Sequence, residues 1–189
     1  IGEIRDQETM RMALTYALSG HLCLATLHAN NSYQAMNRVI SFFPLEVRPM
    51  LLQDLSVSLK AIVSQRLVKT VEGKRTPAVE VLLNTRNVQE AIEKGEVGEV
   101  KEMMEKSMSP GSQTFEQDLF RLVRQGKVST DEALANADSA TNLGLLLGNS
   151  GIMPAMAERV KNPVPGKMPG GPSFDEFKIS EESSEPRFG

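Results

Sequence analysis

The order of apolar and polar residues in the first forty positions predicts a helix, a buried strand and a second helix. Over residues 6–19 apolar side chains recur every three or four positions, as on one face of an amphipathic helix. Residues 22–27 are apolar almost throughout, a pattern typical of a parallel strand that is covered on both faces. Asn30 and Asn31 are candidate N-caps for a helix that continues to Ile40.

Further along, the pattern predicts a longer helix followed by two strands. From residue 49 to residue 62 the apolar side chains have helical spacing, and they are Leu51, Leu55, Leu59 and Ile62. Residues 63–71 and 77–83 have the composition of strands, and the turn Glu72-Gly73-Lys74-Arg75 lies between them. The sequence therefore predicts that this turn joins the two strands.

After the second strand the pattern is helical. Helices are predicted from residue 84 or 85 to residue 94, and over residues 97–106. Two further helices follow capping residues. Thr114-x-x-Gln117 has the spacing of a capping box, and Ser129-x-x-Glu132 repeats it.

This order of elements predicts an α/β protein in three parts. An α/β core over residues 1–83 is followed by a helical subdomain over residues 84–147. Gly, Pro, Ser and charged residues dominate residues 148–189, which are predicted to be a disordered tail because they bury too little apolar surface to offset the entropy of ordering. Because Ile1 is not an initiator methionine, the sequence is expected to be a fragment.

Composition and charge narrow the classes of function. The net charge is -3, with acidic and basic residues interspersed, which argues against a nucleic-acid partner. The single cysteine, Cys23, excludes an intrachain disulfide framework and favours a reducing, cytoplasmic setting. No run approaches the roughly 18 apolar residues that a membrane-spanning helix needs, so any membrane association is expected to be peripheral.

Candidate chemistry lies at the ends of two predicted parallel strands. The first strand ends at Glu3, and the second ends with Thr26 and His28. A strand-helix-strand crossover puts both ends on the same edge of the sheet, where ligands bind in open parallel sheets. A carboxylate there can orient or deprotonate the water that attacks a nucleotide, and a hydroxyl and an imidazole can contact the terminal phosphate. Taken singly, each residue also has a structural explanation.

Several motifs resemble those of the type II/type IV secretion-system ATPases. Gly2-Glu3-Ile4-Arg5-Asp6 followed by Glu8-Thr9 resembles the end of the family's Walker B segment, and the stretch from Gly20 to Asn31 resembles its histidine box. Ser64-Gln65-Arg66-Leu67 is similar to the element after the family's long helix. The resemblance covers roughly residues 1–143. It is closest to the type IV pilus retraction motors, and within them to the PilU type rather than the PilT type.

The resemblance implies the C-terminal part of a RecA-like P-loop ATPase domain, followed by a helical cap. It implies a cytoplasmic homohexamer, peripheral to the inner membrane, that hydrolyses ATP with Mg²⁺ and thereby drives pilus retraction and twitching motility. The implied partners are further copies of the chain, a paralogous retraction ATPase and the pilus platform protein of the inner membrane.

Carried over residue by residue, the resemblance makes Glu3 the catalytic glutamate. It places His28, together with Thr26, next to the γ-phosphate of the nucleotide. Arg5 and Asp6 complete the Walker B turn, where bracing of the loop is the alternative to direct catalysis.

Three further residues receive supporting roles from the same resemblance. His21 opens the histidine box, with a structural histidine as the alternative. Gln65 and Arg66 are expected to line the nucleotide or the subunit boundary, and packing between helix and strand is the alternative for both.

The sequence also departs from the family. No G-x-x-x-x-G-K-[ST] phosphate-binding loop occurs in its 189 residues, so the fragment alone is expected to be inactive. One cysteine excludes the four-cysteine zinc element of the extension and secretion relatives, which favours the retraction branch. The stretch from Asn87 to Ile92 replaces a helical motif of the PilT type. The alternative function is therefore an accessory, protein-binding motor subunit that has little intrinsic hydrolysis and docks on a partner retraction ATPase.

Overall fold

The computed structural model describes residues 1–106 and 109–151, and this part of the chain contains eight α-helices and one β-hairpin. In chain order they are α1 (Gln7–Leu18), α2 (Ser32–Ser41), α3 (Arg48–Ser58), β1 (Ala61–Lys69), β2 (Arg75–Leu83), α4 (Arg86–Lys94), α5 (Val100–Lys106), α6 (Phe115–Arg124), α7 (Thr130–Asn136) and α8 (Ala140–Asn149). Short 3₁₀ turns, Leu45–Val47 and Val97–Glu99, precede α3 and α5. Within the described residues no helix is both long and apolar enough to cross a membrane.

The two strands form an antiparallel hairpin, which confirms the predicted strand pair. Pairing runs from Ala61 opposite Leu83 to Lys69 opposite Arg75, so β1 begins and ends two residues earlier than the predicted 63–71. In the turn Gly73 has a φ of +81°, a conformation that glycine adopts without a Cβ clash.

Side-chain caps fix where several helices begin. Asp6 and Asn31 each accept a hydrogen bond of 2.8 Å from the backbone amide three residues further on, at the starts of α1 and α2. Thr114 and Gln117 form the predicted capping box, in which each side chain accepts from the backbone N–H of the other residue. The predicted starts of these three helices are therefore confirmed.

The second predicted capping box forms only in part. Ser129 Oγ accepts from the Glu132 amide at 3.3 Å, as expected. The Glu132 carboxylate, however, accepts from the backbone N–H of Lys69 at 3.0 Å and from Asn136 Nδ2 at 3.1 Å. The Glu132 side chain thus bonds to the end of β1 instead of to the Ser129 backbone N–H, and it connects α7 to the hairpin.

The third helix is shorter than predicted. It ends at Ser58, Leu59 is extended with ψ of 137°, and Ile62 lies in β1 instead of on a helical stripe. Asn84 Nδ2 donates to the carbonyls of Ser56 and Leu59, both at 2.8 Å. A side chain beyond the hairpin thus satisfies carbonyls at the helix end, which local spacing does not reveal.

An additional helix, α8, is present where the sequence pattern predicts none. Leu143 and Leu147 on this helix are both fully buried. Because α8 continues to Asn149, the predicted tail over residues 148–189 begins inside a helix. From residue 152 onward that tail lies outside the described residues. The division into parts at residues 83 and 147 stays a prediction.

The predicted strand over residues 22–27 is not formed. Cys23 and Leu27 pack against the apolar core, but the other side chains of the segment are exposed. Leu22 is 82% exposed and Leu24 is 71% exposed. The segment 1–4 lies beside it in parallel, with the Ile1 amine 2.8 Å from the Leu24 carbonyl and the Ile4 amide 2.9 Å from the Thr26 carbonyl. A buried parallel strand needs neighbours at its edges and a layer on each face. Among the described residues, segment 1–4 gives it only this short pairing.

The hairpin lies between two hydrophobic clusters. At one end of its buried face Ile62 and Leu82 pack with apolar side chains of α1 to α5. At the other end Val68 and Ala78 pack with apolar side chains of α6, α7 and α8. One face of one hairpin therefore contributes to both clusters.

Charged side chains occupy the region between the two clusters, and we call this set the polar seam; its members are Arg66, Glu80, Lys101, Glu116 and Asp138. Arg66 forms an ion pair with Asp138. Lys101 Nζ lies 3.1 Å from Glu116 and 3.8 Å from Asp138. Glu80 Oε1 accepts a hydrogen bond of 2.7 Å from the Ser32 amide, at the N-terminus of α2. The seam thus joins the hairpin to α2, α5, α6 and the connection between α7 and α8.

Phe115 supports the second cluster and the seam together. Its ring is fully buried, and the Arg66 guanidinium carbon lies 4.1 Å from the ring centroid. We expect Phe115→Ala to lower the free energy of unfolding by about 3–5 kcal/mol in urea denaturation of the chain. Phe120→Ala changes a partly exposed ring on the same helix and should cost clearly less. Equal losses in the two variants would contradict this account of the cluster.

The stability of the chain should depend on pH through Glu80. Burial raises the pKa of this carboxyl above its usual value of 4.5, and the Ser32 amide offsets only part of that effect. The folded chain therefore holds the proton more tightly than the unfolded chain, and this contribution to stability is lost as pH rises from 4.5 through the raised pKa.

Glu80→Gln removes this titration and keeps an acceptor for the Ser32 amide. In urea unfolding at a series of pH values, the stability of the variant minus that of the wild type should be constant below pH 4.5 and increase above it. Glu72→Gln alters a carboxylate that is 72% exposed in the hairpin turn and should give no such increase. A flat difference for Glu80→Gln would show that the carboxyl is not destabilised by burial.

Candidate active site

Glu3 and His28 meet where the two parallel segments end. Residues 1–4 and 24–26 run in the same direction. The end of the first segment, with Glu3, therefore lies next to the end of the second, after which His28 follows. His28 Nε2 lies 2.8 Å from Glu3 Oε1, a hydrogen-bond distance. The Glu3 side chain is 20% exposed and that of His28 is 87% exposed. The structure therefore brings together the two side chains that were expected to meet, and their catalytic roles stay predictions.

Thr26 lies within the contact between the segments. Its hydroxyl donates to the Gly2 carbonyl, and its own carbonyl accepts from the Ile4 amide at 2.9 Å. Thr26 thus bonds to the residue before Glu3 and to the residue after it. Its hydroxyl proton is used in holding the segments together, and only its lone pairs are open to another donor.

Arg5 holds the Glu3 carboxylate and lowers its pKa. Arg5 Nε donates to Glu3 Oε2 at 2.6 Å, and this hydrogen bond is the main reason that the pKa of the Glu3 carboxyl lies below its usual value. The charge of Arg5 and that of His28 act in the same direction, whereas desolvation opposes them. Glu3 is therefore a carboxylate at neutral pH. The contact fits the bracing role that was the alternative to catalysis by Arg5.

Asp6 and His21 lie at opposite ends of α1. Asp6 is the N-cap, and its hydrogen bonds with Thr9 lower the pKa of the Asp6 carboxyl. His21 follows the C-terminal end, where its Nδ1 lies 3.0 Å from Ser19 Oγ and its ring packs edge-on against Tyr16. The 12 residues of α1 extend about 18 Å along the helix axis. The structure therefore places Asp6 next to the Glu3 segment and does not bring His21 to it.

Gln65 and Arg66 point to opposite faces of β1. Gln65 is exposed, whereas Arg66 lies on the face that carries the polar seam. Arg66 Nη2 donates to the Asn30 carbonyl at 3.2 Å, two residues after His28. Arg66 Nη1 donates to the Asn136 carbonyl at 2.8 Å. Arg66 thus contacts the backbone of the histidine-box stretch, and the structure shows no such contact for Gln65.

Asp138 is the residue of this region that sequence reasoning missed. Its carboxylate pairs with Arg66 and accepts from Asn31 Nδ2 at 2.9 Å. These partners are 72 and 107 positions away in the chain. Local spacing carries no signal for contacts at such separations, so nothing in the pattern around Asp138 points to them.

The Glu3 carboxylate and the His28 imidazole are groups that can take part in the hydrolysis of a phosphoanhydride. An ionised carboxylate, sheltered and held by Arg5, accepts a hydrogen bond from water and can take its proton. An exposed imidazole beside it can donate to a phosphate oxygen. The cradle for the remaining phosphates requires a glycine-rich loop that this sequence does not contain.

Comparison with known proteins identifies the family to which this chain is similar. Residues 1–135 match the family model described as type II/IV secretion system protein. The chain is 51% identical over 148 residues to the type IV pilus ATPase PilU of Pseudomonas aeruginosa and 35% identical over 142 residues to the type IV pilus retraction ATPase PilT of the same species. These matches cover 78% and 75% of the chain but 39% and 41% of the two relatives. The chain thus spans about two fifths of the length of these curated relatives.

A solved structure gives the same result for the fold. The pilus retraction motor PilT with bound ADP superposes with a TM-score of 0.65 at 32% identity, over 73% of this chain and 38% of that one. The predicted α/β ATPase fold, of which the chain holds a part, is confirmed, and so is the resemblance to PilU-type and PilT-type proteins. Since the family model covers well over half of its residues, the chain belongs to the type II/IV secretion system protein family.

Proposed function

We propose that the protein containing this chain is an ATP-hydrolysing motor subunit of the type IV pilus machinery that drives pilus retraction and twitching motility. The observation that carries the proposal is the 2.8 Å contact between Glu3 and His28 at the end of two parallel segments. The identity of 51% to the type IV pilus ATPase PilU supports the choice of machinery.

In this proposal Glu3 acts on the attacking water. Its carboxylate is ionised at neutral pH and is oriented by Arg5, so it can accept a hydrogen bond from the water and remove its proton as the bond to phosphorus forms. His28 is 87% exposed and turns its Nε2–H from Glu3 to an oxygen of the γ-phosphate. Thr26 holds the two segments in register, so that carboxylate and imidazole keep their spacing.

The rest of the nucleotide is held by residues outside this chain. A phosphate-binding loop provides backbone amides and a lysine for the phosphates, and its Ser or Thr binds the Mg²⁺ that enters with ATP. Since the chain lacks that loop, we expect the 189-residue chain alone to hydrolyse no ATP. We assign the activity to the intact protein, of which this chain is one part.

We place the intact protein in a cytoplasmic homohexamer at the inner membrane, with a paralogous retraction ATPase and the pilus platform protein as partners. Apolar side chains exposed on α1 and on the segment after it support an assembly larger than this chain. Met12 is 52% exposed, Tyr16 51%, Leu22 82% and Leu24 71%. Such a group of exposed apolar residues marks a surface that another part of the protein or another subunit covers.

A second candidate is an accessory subunit that docks on a partner retraction ATPase and hydrolyses little ATP itself. The sequence of α4, in which the stretch Asn87 to Ile92 replaces the PilT-type motif, favours it. Capture of a partner ATPase that survives Glu3→Gln, together with negligible hydrolysis by the isolated wild-type protein, would select this candidate.

Glu3→Gln in the intact protein tests the motor function. Glutamine keeps the size of the side chain but removes the negative charge and the proton acceptor, so we expect kcat for ATP hydrolysis to fall by about 10²–10⁴-fold. ATP binding should be retained because Glu3 acts on water rather than on the nucleotide cradle. The measurements are steady-state phosphate release and equilibrium binding of a fluorescent ATP analogue.

Glu46→Gln is the matched control for this experiment. Glu46 is an exposed glutamate in the turn before α3, away from the Glu3–His28 pair, and its variant should hydrolyse ATP like the wild type. Wild-type turnover by Glu3→Gln would rule out Glu3 as the catalytic glutamate.

A further inference from the structure

We propose that Asp138 is a positioning residue, which holds the loop carrying Thr26 and His28 against the C-terminal helices through Arg66 and Asn31. This inference rests on the proposed function, because it takes His28 to be part of the hydrolytic site. We call residues 21–31 the histidine loop.

Asp138 reaches the histidine loop by two routes. Directly, its Oδ2 accepts from Asn31 Nδ2 at 2.9 Å. Indirectly, its Oδ1 pairs with Arg66, whose Nη2 donates to the Asn30 carbonyl at 3.2 Å. One carboxylate therefore holds the Asn31 side chain directly and the Asn30 backbone through Arg66.

Asn31 passes this restraint on to α2. Its Oδ1 accepts from the Gln34 amide at 2.8 Å as the N-cap, while its Nδ2 donates to Asp138. The first residue of α2, Ser32, is held by the Glu80 carboxylate at 2.7 Å. Two carboxylates of the polar seam, those of Asp138 and Glu80, thus hold the junction between the loop and α2.

The side chains of Asp138 and Arg66 are mostly covered, although residue 138 as a whole is exposed. The side chain of Asp138 is 16% exposed and that of Arg66 is 22% exposed. Charges in such a site interact more strongly than on the surface, and removal of one partner leaves the other charge poorly compensated. A change at residue 138 should therefore move Arg66 and, with it, the Asn30 carbonyl.

Asp138 itself is held by the C-terminal helices. It lies between the end of α7 at Asn136 and the N-cap of α8 at Ser139. Arg66 Nη1 donates to the Asn136 carbonyl at 2.8 Å, and the Ser139 amide donates to Glu116 of α6 at 2.7 Å. A shift of α7 and α8 relative to the hairpin is therefore transmitted to the histidine loop.

The expected effect is on the rate of hydrolysis rather than on binding. Asp138 contacts the loop and not the reacting groups, so its loss misplaces His28 without removing a catalytic group. A displacement of about 1 Å at a catalytic group lowers a rate by as much as about 100-fold. We expect Asp138→Asn to lower kcat of the intact protein by about tenfold or more, and to change KM for ATP and the affinity for ADP by less than about twofold.

Two control variants separate positioning from a general loss of stability. Asp131→Asn removes an exposed acid from the first turn of α7 and should hydrolyse ATP like the wild type. Leu143→Ala loosens α8 from within the second cluster without touching Asp138. The proposal is overturned if Asp138→Asn keeps the wild-type kcat. It is also overturned if Leu143→Ala lowers kcat as much at an equal loss of Tm while hydrogen exchange over residues 28–35 stays as in the wild type.

Hydrogen exchange tests the positioning without any ATP hydrolysis. In the wild type the Ser32 amide donates to Glu80 and the Ala35 amide to the Asn31 carbonyl at 2.9 Å, so both are protected. Asp138→Asn should speed exchange in a peptide over residues 28–35 by about tenfold, and Asp131→Asn should not. If the wild-type intact protein hydrolyses no ATP, the proposed function fails, yet faster exchange in Asp138→Asn still supports the positioning. Unchanged exchange overturns the positioning whatever the ATPase result.

Discussion

The guanidinium of Arg66 is the contact on which the arrangement of the described residues depends. Its planar donors reach the carbonyls of Asn30 and Asn136 and the carboxylate of Asp138, while its face lies on the Phe115 ring. A buried ion pair often adds little net stability, because desolvation offsets the attraction. The consequence of these contacts is therefore geometric. They hold the loop that contains Asn30 against α7 and the α7–α8 connection. An apolar residue at position 66 could not make these hydrogen bonds.

The same logic explains why a polar seam separates two hydrophobic clusters. On the buried face of β2 the order is Ala78, Glu80 and Leu82, so an acid lies between two apolar contacts. The Glu80 carboxylate accepts from the Ser32 amide at the N-terminus of α2, where the helix dipole favours negative charge. A shift of one residue in β2 would expose these three side chains and turn Val79 and Val81 inward. The buried acid thus fixes the strand register and the position of α2 together, although its burial is unfavourable by itself.

The sequence predicts those parts of the fold that are decided by near neighbours. Asp6, Asn31 and Thr114 begin helices because a cap acts over three residues, and the hairpin follows from a short turn. The meeting of Glu3 with His28 was also predictable, since the connection rule for parallel segments places their ends together. Distant partners were not predictable. Of the apolar residues over 22–27, Cys23 and Leu27 pack against the first cluster, whereas Leu22 and Leu24 are exposed. The contacts of Glu132 and Asp138 join positions more than sixty residues apart.

The candidate site draws its rigidity from outside itself. On one side the Glu3–His28 pair is held by the short pairing of segments 1–4 and 24–26, in which Leu24 is 71% exposed. On the other side the loop is held by Arg66 and Asn31, which are fixed by well-packed helices. The second attachment contains a charged pair and a helix cap, whereas the first is a short backbone pairing. Coupling between two positions acts in both directions. If Asp138 positions the histidine loop as proposed, a ligand that moves His28 also strains the contacts of Asp138, and a shift of α7 and α8 also moves His28.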